Sequence, residues 1–318
     1  MRAQALGAGL VAQTQSSIPP FELHRPGSVA EAVALLAVHP EAVIAAGCTD
    51  LTAQLREGRV PRDLISVRRV PDLQQVRHDG GVLRIGAGLT HHEGSRHPVL
   101  RTTLPSLAAA WADIATVRIR YSATIGGNLL ARRFRYEMPV LLGALEADLE
   151  LAAATVPRRP VDWLWGGGDH GGGDHDGADH DGSEHDGAGA GAWRTRGLLT
   201  GVAIDTSDLL WFGYERSMRP TTTVALAIRV VDGSLRVTAT IGSEYRRPVT
   251  VSTTADVAHP TDLDPGSVGR AVASRLPDDI EDRAGSAEYR RHLVAVLVGR
   301  LVATARDSGA QAPEGVTA

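Results

Sequence analysis

Lysine is absent from this chain of 318 residues, and all 33 of its positive side chains are arginine. That removes the phosphate-binding lysine of P-loop nucleotide hydrolases and the amine that pyridoxal and other Schiff-base mechanisms require. Cysteine occurs once, as Cys48, which excludes a disulfide framework and any iron–sulfur or zinc cluster built from cysteines of this chain alone. Apolar runs are short. Candidates such as Leu293 to Val302 are interrupted, here by Gly299 and Arg300, and fall well below the roughly 20 residues needed to cross a bilayer. A single Arg2 ahead of Ala5 to Ala12 makes a poor signal peptide, so residues 1–17 read as a disordered extension. Within it the letters of Gly7-Ala8-Gly9-Leu10-Val11-Ala12 fit the dinucleotide fingerprint, but no strand can precede them and the match is a coincidence of small residues.

What is present is a globular composition, 43% hydrophobic and 22% charged, enough to bury a large core divided between domains. Ser28-Val29-Ala30-Glu31 is a capping box that opens an amphipathic helix to about Val38, stopped by His39-Pro40. A strand from Ala42 to Ala46 feeds a glycine loop, and a second helix follows Asp50 and ends near Gly58. Further on, Val82 to Ile85 reads as a strand, Leu104 to Ile114 as a helix and Leu141 to Ala147 as another. After Arg196 strand-like runs take over, at Leu198 to Ile204, Thr222 to Val231 and Leu235 to Ile241. Asp232-Gly233 between the last two is a hairpin signal. The apolar positions Leu293, Val296, Leu297, Leu301 and Val302 then recur at helical spacing.

Residues 166–192 form a low-complexity insertion in which His170, His175, His180 and His185 recur every five residues among eleven glycines and seven acidic residues. Those acidic residues outweigh the whole net charge of −4, and the remainder is mildly positive. Neither value suggests nucleic-acid binding. The imidazoles could hold Ni²⁺, Zn²⁺ or Cu²⁺, but organising so glycine-rich a segment is entropically costly. We read the run as a repeat expansion in a tolerated surface loop.

Two glycine segments carry the chemistry, Ala45-Ala46-Gly47-Cys48-Thr49-Asp50-Leu51 and Thr124-Ile125-Gly126-Gly127-Asn128-Leu129. Each offers consecutive backbone N–H groups with little side-chain bulk, which a buried diphosphate needs. The amides of residues 46–50 and 125–128 are the expected donors, with the hydroxyls of Thr49 and Thr124 and the Asn128 amide beside them. A single ligand lying between two α/β lobes, touched by both loops, is the economical interpretation. Cys48 as a nucleophile and His91-His92-Glu93 as a metal or acid–base cluster are the competing readings, but neither has a partner at recognisable spacing.

Together the loops resemble Ala-Gly-Gly-Thr-Asp-Leu and Thr-Ile-Gly-Gly-Asn-Leu of the FAD-binding (medium) subunits of the molybdenum hydroxylases, the family of xanthine dehydrogenase and carbon monoxide dehydrogenase. Further matches run from about Phe21 to about Val302. They include Pro61-Arg62-Asp63-Leu64-Ile65-Ser66-Val67, Ile85-Gly86-Ala87-Gly88-Leu89-Thr90-His91, Pro139-Val140-Leu141-Leu142, Leu145-Glu146-Ala147-Asp148 and Ser286-Ala287-Glu288-Tyr289-Arg290-Arg291-His292-Leu293. The resemblance implies an α+β protein: a two-lobed α/β FAD-binding domain of the PCMH type, then a C-terminal domain of antiparallel sheet with helices. The lobes would span 18–74 and 75–206, the C-terminal domain 207–305 and a tail 306–318.

For the cofactor, FAD, the resemblance implies contacts from Ala46, Gly47, Cys48, Thr49, Asp50, Leu51, Ile114, Thr124, Ile125, Gly126, Gly127, Asn128, Glu137 and Arg216. Glu137 stands where aspartate is usual and Arg216 where lysine is common. Cys48 replaces a glycine, at a cost of about 1 kcal/mol if its φ is positive. Val117-Arg118-Ile119-Arg120-Tyr121-Ser122-Ala123 keeps Arg120 but departs from Pro-Gln-Ile-Arg-Asn-Arg-Gly elsewhere. The implied function is a cytoplasmic electron-transfer subunit. It would work with a large molybdopterin-containing subunit and a small 2Fe-2S subunit and pass electrons to an acceptor such as NAD, with no catalytic side chain and no metal ligand assigned in this chain. The alternatives are a scaffold subunit with a degenerate flavin site, a stand-alone flavin oxidoreductase of the same fold, and a metal-storage protein built on the histidine repeat.

Overall fold

The computed structural model describes residues 20–154, 158–165, 197–217 and 221–309. The expected extension at 1–17, the insertion at 166–192 and most of the 306–318 tail lie outside them. Three sheets organise the described residues, and the architecture is α+β, as the resemblance implied.

The first sheet has β1 (Glu22–His24), β2 (Val43–Ala45) and β3 (Asp63–Ser66) in the order β1-β3-β2, all parallel. Parallel neighbours need crossovers, which α1 (Val29–Val38) and α2 (Thr49–Arg56) supply. Ser28 caps α1 by accepting from Glu31 N at 3.1 Å, while Glu31 reaches back to Gly27 N at 2.7 Å rather than to Ser28. The expected box is thus displaced by one residue at its return bond.

The second sheet contains β4 (Val76–Asp79), β5 (Val82–Gly86), β6 (Asp148–Ala152), β7 (Arg158–Pro160) and β8 (Leu198–Asp205). Its order, β4-β5-β8-β6-β7, puts the last strand in the middle, antiparallel to both β5 and β6. The chain between β5 and β6 is helical: α3 (His91–Arg96), α4 (Pro98–Thr103), α5 (Pro105–Ala112), α6 (Val117–Arg120), α7 (Ile125–Leu130) and α8 (Met138–Ala144). Proline opens α4 and α5 at the first helical position, where its missing N–H has no intrahelical partner to lose. These helices bury Leu100, Leu107, Trp111, Ile125, Leu129, Met138, Leu141 and Leu142 in the largest core.

The third sheet is a meander of β9 (Leu209–Arg216), β10 (Thr222–Val231), β11 (Ser234–Ser243) and β12 (Val249–Ala255). Along β10 the side chains alternate between two cores. Val224, Leu226 and Ile228 face α9 (Pro265–Ser274) and α10 (Ala287–Asp307), whereas the small Ala225 and Ala227 join Phe212 against the second sheet's helices. A strand buried on both faces reads as an unbroken apolar run, which is how Thr222 to Val231 was legible. Asp232 and Gly233 have φ of 51° and 80°, the two positive values of a type I′ hairpin turn. Arg229, 3% exposed, fastens this sheet to its neighbour: its Nη2 donates to Leu145 O and Asp205 O, each at 2.9 Å, and it pairs with Asp208 and with Glu146.

Candidate functional site

The two glycine loops meet. A Cβ added to Gly47 would lie 1.8 Å from Ser122 O and 2.9 Å from Ala123 Cα, so the backbone between β2 and α2 is pressed directly on the residues that enter the second loop. No larger residue fits there without parting the two segments. The two loops, about eighty residues apart in sequence, are therefore adjacent in space.

The loops differ in what their backbones offer. Cys48 occupies the N-cap of α2 at φ 59° and ψ 10°, with no side-chain hydrogen bond into the first turn. The first N–H groups of a helix lack intrahelical partners, so Thr49, Asp50 and Leu51 present an uncapped, electropositive helix start. The cysteine has paid for this with a left-handed backbone, and its thiol reaches only Ala46 O at 3.5 Å. At the second loop the amides are spent inside the protein. Ile125 N donates to Leu89 O at 3.0 Å, Gly126 N to Ala87 O at 2.9 Å, Asn128 N to Thr124 O at 2.9 Å and Gly127 N to the capping Thr124 Oγ1 at 3.1 Å. The expectation that residues 125–128 supply a row of open donors is therefore corrected: that backbone is a brace, and Gly126 is small because a Cβ would sit 2.8 Å from Ala87 O. The strap beneath it is Gly86 to Thr90, itself held by Gly88 N to Leu73 O at 2.7 Å and by the Thr90–Thr124 bridge.

Asn128 is buried, and its Oδ1 has no hydrogen-bond partner. A buried acceptor left open costs about 1–3 kcal/mol and is an invitation to a donor from a ligand. Leu51, Ile114 and Ile125 are turned into cores, so only their backbones can face a cofactor. Arg120 braces the turn after Ile114, donating to Ala115 O at 3.1 Å and Ile114 O at 3.4 Å.

Asp50 leans across to the second loop's exit. It accepts from Arg133 Nε at 3.2 Å, from Tyr136 OH at 3.5 Å and from Gln54. Burial, reinforced by Asp50, raises the Tyr136 hydroxyl above its usual range. One residue further, Glu137 meets Arg216, with Nη1 to Oε1 at 3.2 Å, and accepts from Tyr214 OH. The two residues that the resemblance singled out separately are thus an ion pair between α8's cap and β9. Burial and the Glu137 charge push Tyr214 far upward, so it stays a proton donor to the carboxylate.

Sequence reasoning missed Tyr214, Arg133 and Tyr136. Tyr214 could have been found from strand alternation, being two residues before Arg216 on one face. The other two lie in Arg132-Arg133-Phe134-Arg135-Tyr136, a basic and aromatic stretch directly after the second loop. His91 and Glu93 are explained without chemistry. Thr90 and Glu93 form a reciprocal capping box for α3, and the buried His91 accepts from Trp111 Nε1 at 2.6 Å through Nδ1.

The donor set fits a flavin dinucleotide: an uncapped helix start for its diphosphate, a loop contact too close for any side chain, and a buried open acceptor. Comparison with known proteins agrees. Residues 19–161 match the family model described as the FAD binding domain in molybdopterin dehydrogenase. The carbon monoxide dehydrogenase medium chain of Hydrogenophaga pseudoflava is 36% identical over 137 residues, 42% of this chain and just under half, 48%, of that one. The medium chain of carbon monoxide dehydrogenase from Afipia carboxidovorans is 29% identical over 297 residues, covering 90% of this chain and 96% of its own length. A solved Cu,Mo-CO dehydrogenase chain superposes with a TM-score of 0.66 at 26% identity, covering 91% and 99% of the two chains. Residues 19–161 thus form an FAD-binding domain of the molybdopterin dehydrogenase type, and FAD is the cofactor of this chain.

Proposed function

We propose that this chain is the electron-transfer subunit of a molybdenum hydroxylase-type dehydrogenase, receiving electrons from an iron–sulfur partner and passing them to an external acceptor such as NAD. The observation that supports the reading is the contact of Gly47 with Ser122 and Ala123, which brings two distant loops side by side. FAD, when bound, supplies the redox chemistry. The chain's own residues bind and orient it. The α2 start faces negative phosphate charge, Asn128 Oδ1 accepts a hydrogen bond, and the carboxylate of Glu137, held by Tyr214 and Arg216, serves as an acceptor for a hydroxyl. Asp50, gripped by Arg133 and Tyr136, fixes the first loop against the second.

Partners follow from what the chain lacks. With a single cysteine it cannot ligate a cluster by itself, so the proposed assembly adds a 2Fe-2S subunit and a large molybdopterin-containing subunit that oxidises the substrate, in the cytoplasm. No described helix is long and apolar enough to cross a membrane.

Purification of the full chain should yield about one flavin per chain, with the visible flavin bands and FAD as the released nucleotide. Asn128→Leu should weaken FAD retention at least tenfold, the equivalent of one hydrogen bond of about 1.4 kcal/mol. A purified, folded chain that neither carries nor takes up FAD would favour the scaffold reading and overturn this one. Co-expression with candidate large and small subunits, followed by size-exclusion chromatography, tests the assembly separately.

A further inference from the structure

Where β1, the end of α1 and the start of β3 meet, three polar side chains converge. His24 Nε2 lies 2.9 Å from Asp63 Oδ1, and His39 Nδ1 lies 3.3 Å from the same oxygen. The imidazole centroids are 4.4 Å apart, and the three donor atoms all fall within 4.8 Å of one another. The histidine and aspartate side chains are largely enclosed, with 12% exposure for His24 and Asp63 and 28% for His39. We propose that His24, His39 and Asp63 form a binding site for a zinc-class divalent ion, independent of the flavin site.

The donor types and spacing support this. Two imidazoles and one carboxylate are a set that Zn²⁺ and its neighbours favour over Mg²⁺ or Ca²⁺. Around a tetrahedral ion with bonds of about 2.05 Å, adjacent ligand atoms are about 3.3 Å apart, close to the two nitrogen–oxygen separations of 2.9 and 3.3 Å. Three protein ligands leave a fourth position for water. The supports are rigid. His24 ends β1, His39 is the C-cap of α1, and Asp63 begins β3, which pairs with β1 in register at Glu22–Asp63. His39 caps its helix through its own backbone N–H to Leu35 O, so its ring is free for another role. Glu22 Oε1, 4.0 Å from His24 Nδ1, stands where a second carboxylate can orient the imidazole.

Asp63 is already held below the usual carboxylate range, by the His24 hydrogen bond first and by the positive character of His39 and Arg62 after it. Binding would replace the imidazole contacts to Asp63 with bonds to the ion. It would also clamp the three-residue edge strand β1 to its sheet and to the end of α1.

The test uses the full-length, untagged chain carrying His170→Ser, His175→Ser, His180→Ser and His185→Ser, so that the repeat cannot compete. Titration with Co²⁺ and Zn²⁺ should show one equivalent bound, a visible ligand-field band for Co²⁺ and a rise in Tm. His39→Gln should weaken binding at least tenfold while leaving the circular dichroism and FAD content unchanged. Zinc-edge anomalous diffraction from crystals of the same protein should place one ion within bonding distance of His24, His39 and Asp63. No uptake by the repeat-free chain, uptake indifferent to His39→Gln, or anomalous density only elsewhere would each overturn the proposal. Because FAD content is read in parallel, failure here is distinct from failure of the flavin assignment.

Discussion

Replacing Gly47 by alanine puts the central contact at risk. The new Cβ would stand 1.8 Å from Ser122 O, and ordinary contact requires about 3 Å or more, so one loop must retreat by at least about 1 Å. Ser122 is held by Ser122 N to Ile119 O at 3.0 Å and its neighbour by Ala123 N to Ile119 O at 2.8 Å, so the retreating segment is the β2–α2 loop with its open amides. Overpacking of this kind costs about 1–3 kcal/mol, and with backbone on both sides the upper end applies. Loss of even one charge-assisted bond from the displaced amides removes about 1.5–3 kcal/mol of flavin binding, tenfold or more in Kd. The control is Gly127→Ala. Its Cβ would meet only Thr124 Oγ1, at 3.0 Å, and alanine is the better helix former by about 1 kcal/mol. Fluorescence titration with FAD and calorimetric Tm on both variants decide the matter. Gly47→Ala should lose several degrees and most of its flavin, and Gly127→Ala neither. Full flavin affinity and an unchanged Tm in Gly47→Ala would refute the convergence of the loops.

Cys48→Gly should stabilise the chain by about 1 kcal/mol relative to Cys48→Ala, since both remove the thiol but only glycine relieves a φ of 59°; equal Tm values would show that the backbone there carries no strain. Burial, with the positive charge of Arg120 adding to it, lowers His91 to about 4. The native ring stays neutral while the unfolded ring protonates near 6.5, so stability is complete above pH 6.5 and falls by up to roughly 3 kcal/mol as pH drops toward 4; an NMR titration of the His91 ring with a midpoint near 6.5 in the folded protein would contradict this. Arg229→Ala strips the donors from the Leu145 and Asp205 carbonyls and leaves Asp208 and Glu146 without their buried guanidinium, a loss of about 3 kcal/mol. Urea unfolding that shows a change below about 1 kcal/mol would mean that the two sheets are held together by apolar contact alone.

The features legible in the sequence were those governed by local chemistry. The glycine loops, the Asp232-Gly233 turn and the doubly buried β10 each announce themselves through residues adjacent in the chain. The elements that escaped depend on packing that the local pattern of residue types does not show. In β9, glycine interrupts the pattern at Gly213, whose missing Cβ leaves room for the Trp211 ring. Helix α9 begins Pro-Gly and contains Gly269, poor helix formers, yet the residue is required because a Cβ would lie 2.3 Å from Ala295 O of α10. The helix expected over Leu141 to Ala147 runs instead from Met138 to Ala144, and Glu146 at φ 53° turns the chain into β6. The amides of the second loop were misjudged for the same reason: their acceptors, Ala87 and Leu89, are supplied by a strap far earlier in the chain. His24, His39 and Asp63 share no motif spacing at all, and it is the β1–β3 register together with the end of α1 that brings them together.

The central position of β8 has a consequence for synthesis. Until Leu198–Asp205 emerges from the ribosome, β5 and β6 flank an empty lane, and the helices made between them have only part of the surface they are to cover. A nascent chain arrested before residue 205 would therefore display two open strand edges and a bared core, the state most prone to aggregate. Everything encoded between β7 and β8, however long, must be translated before that lane can close.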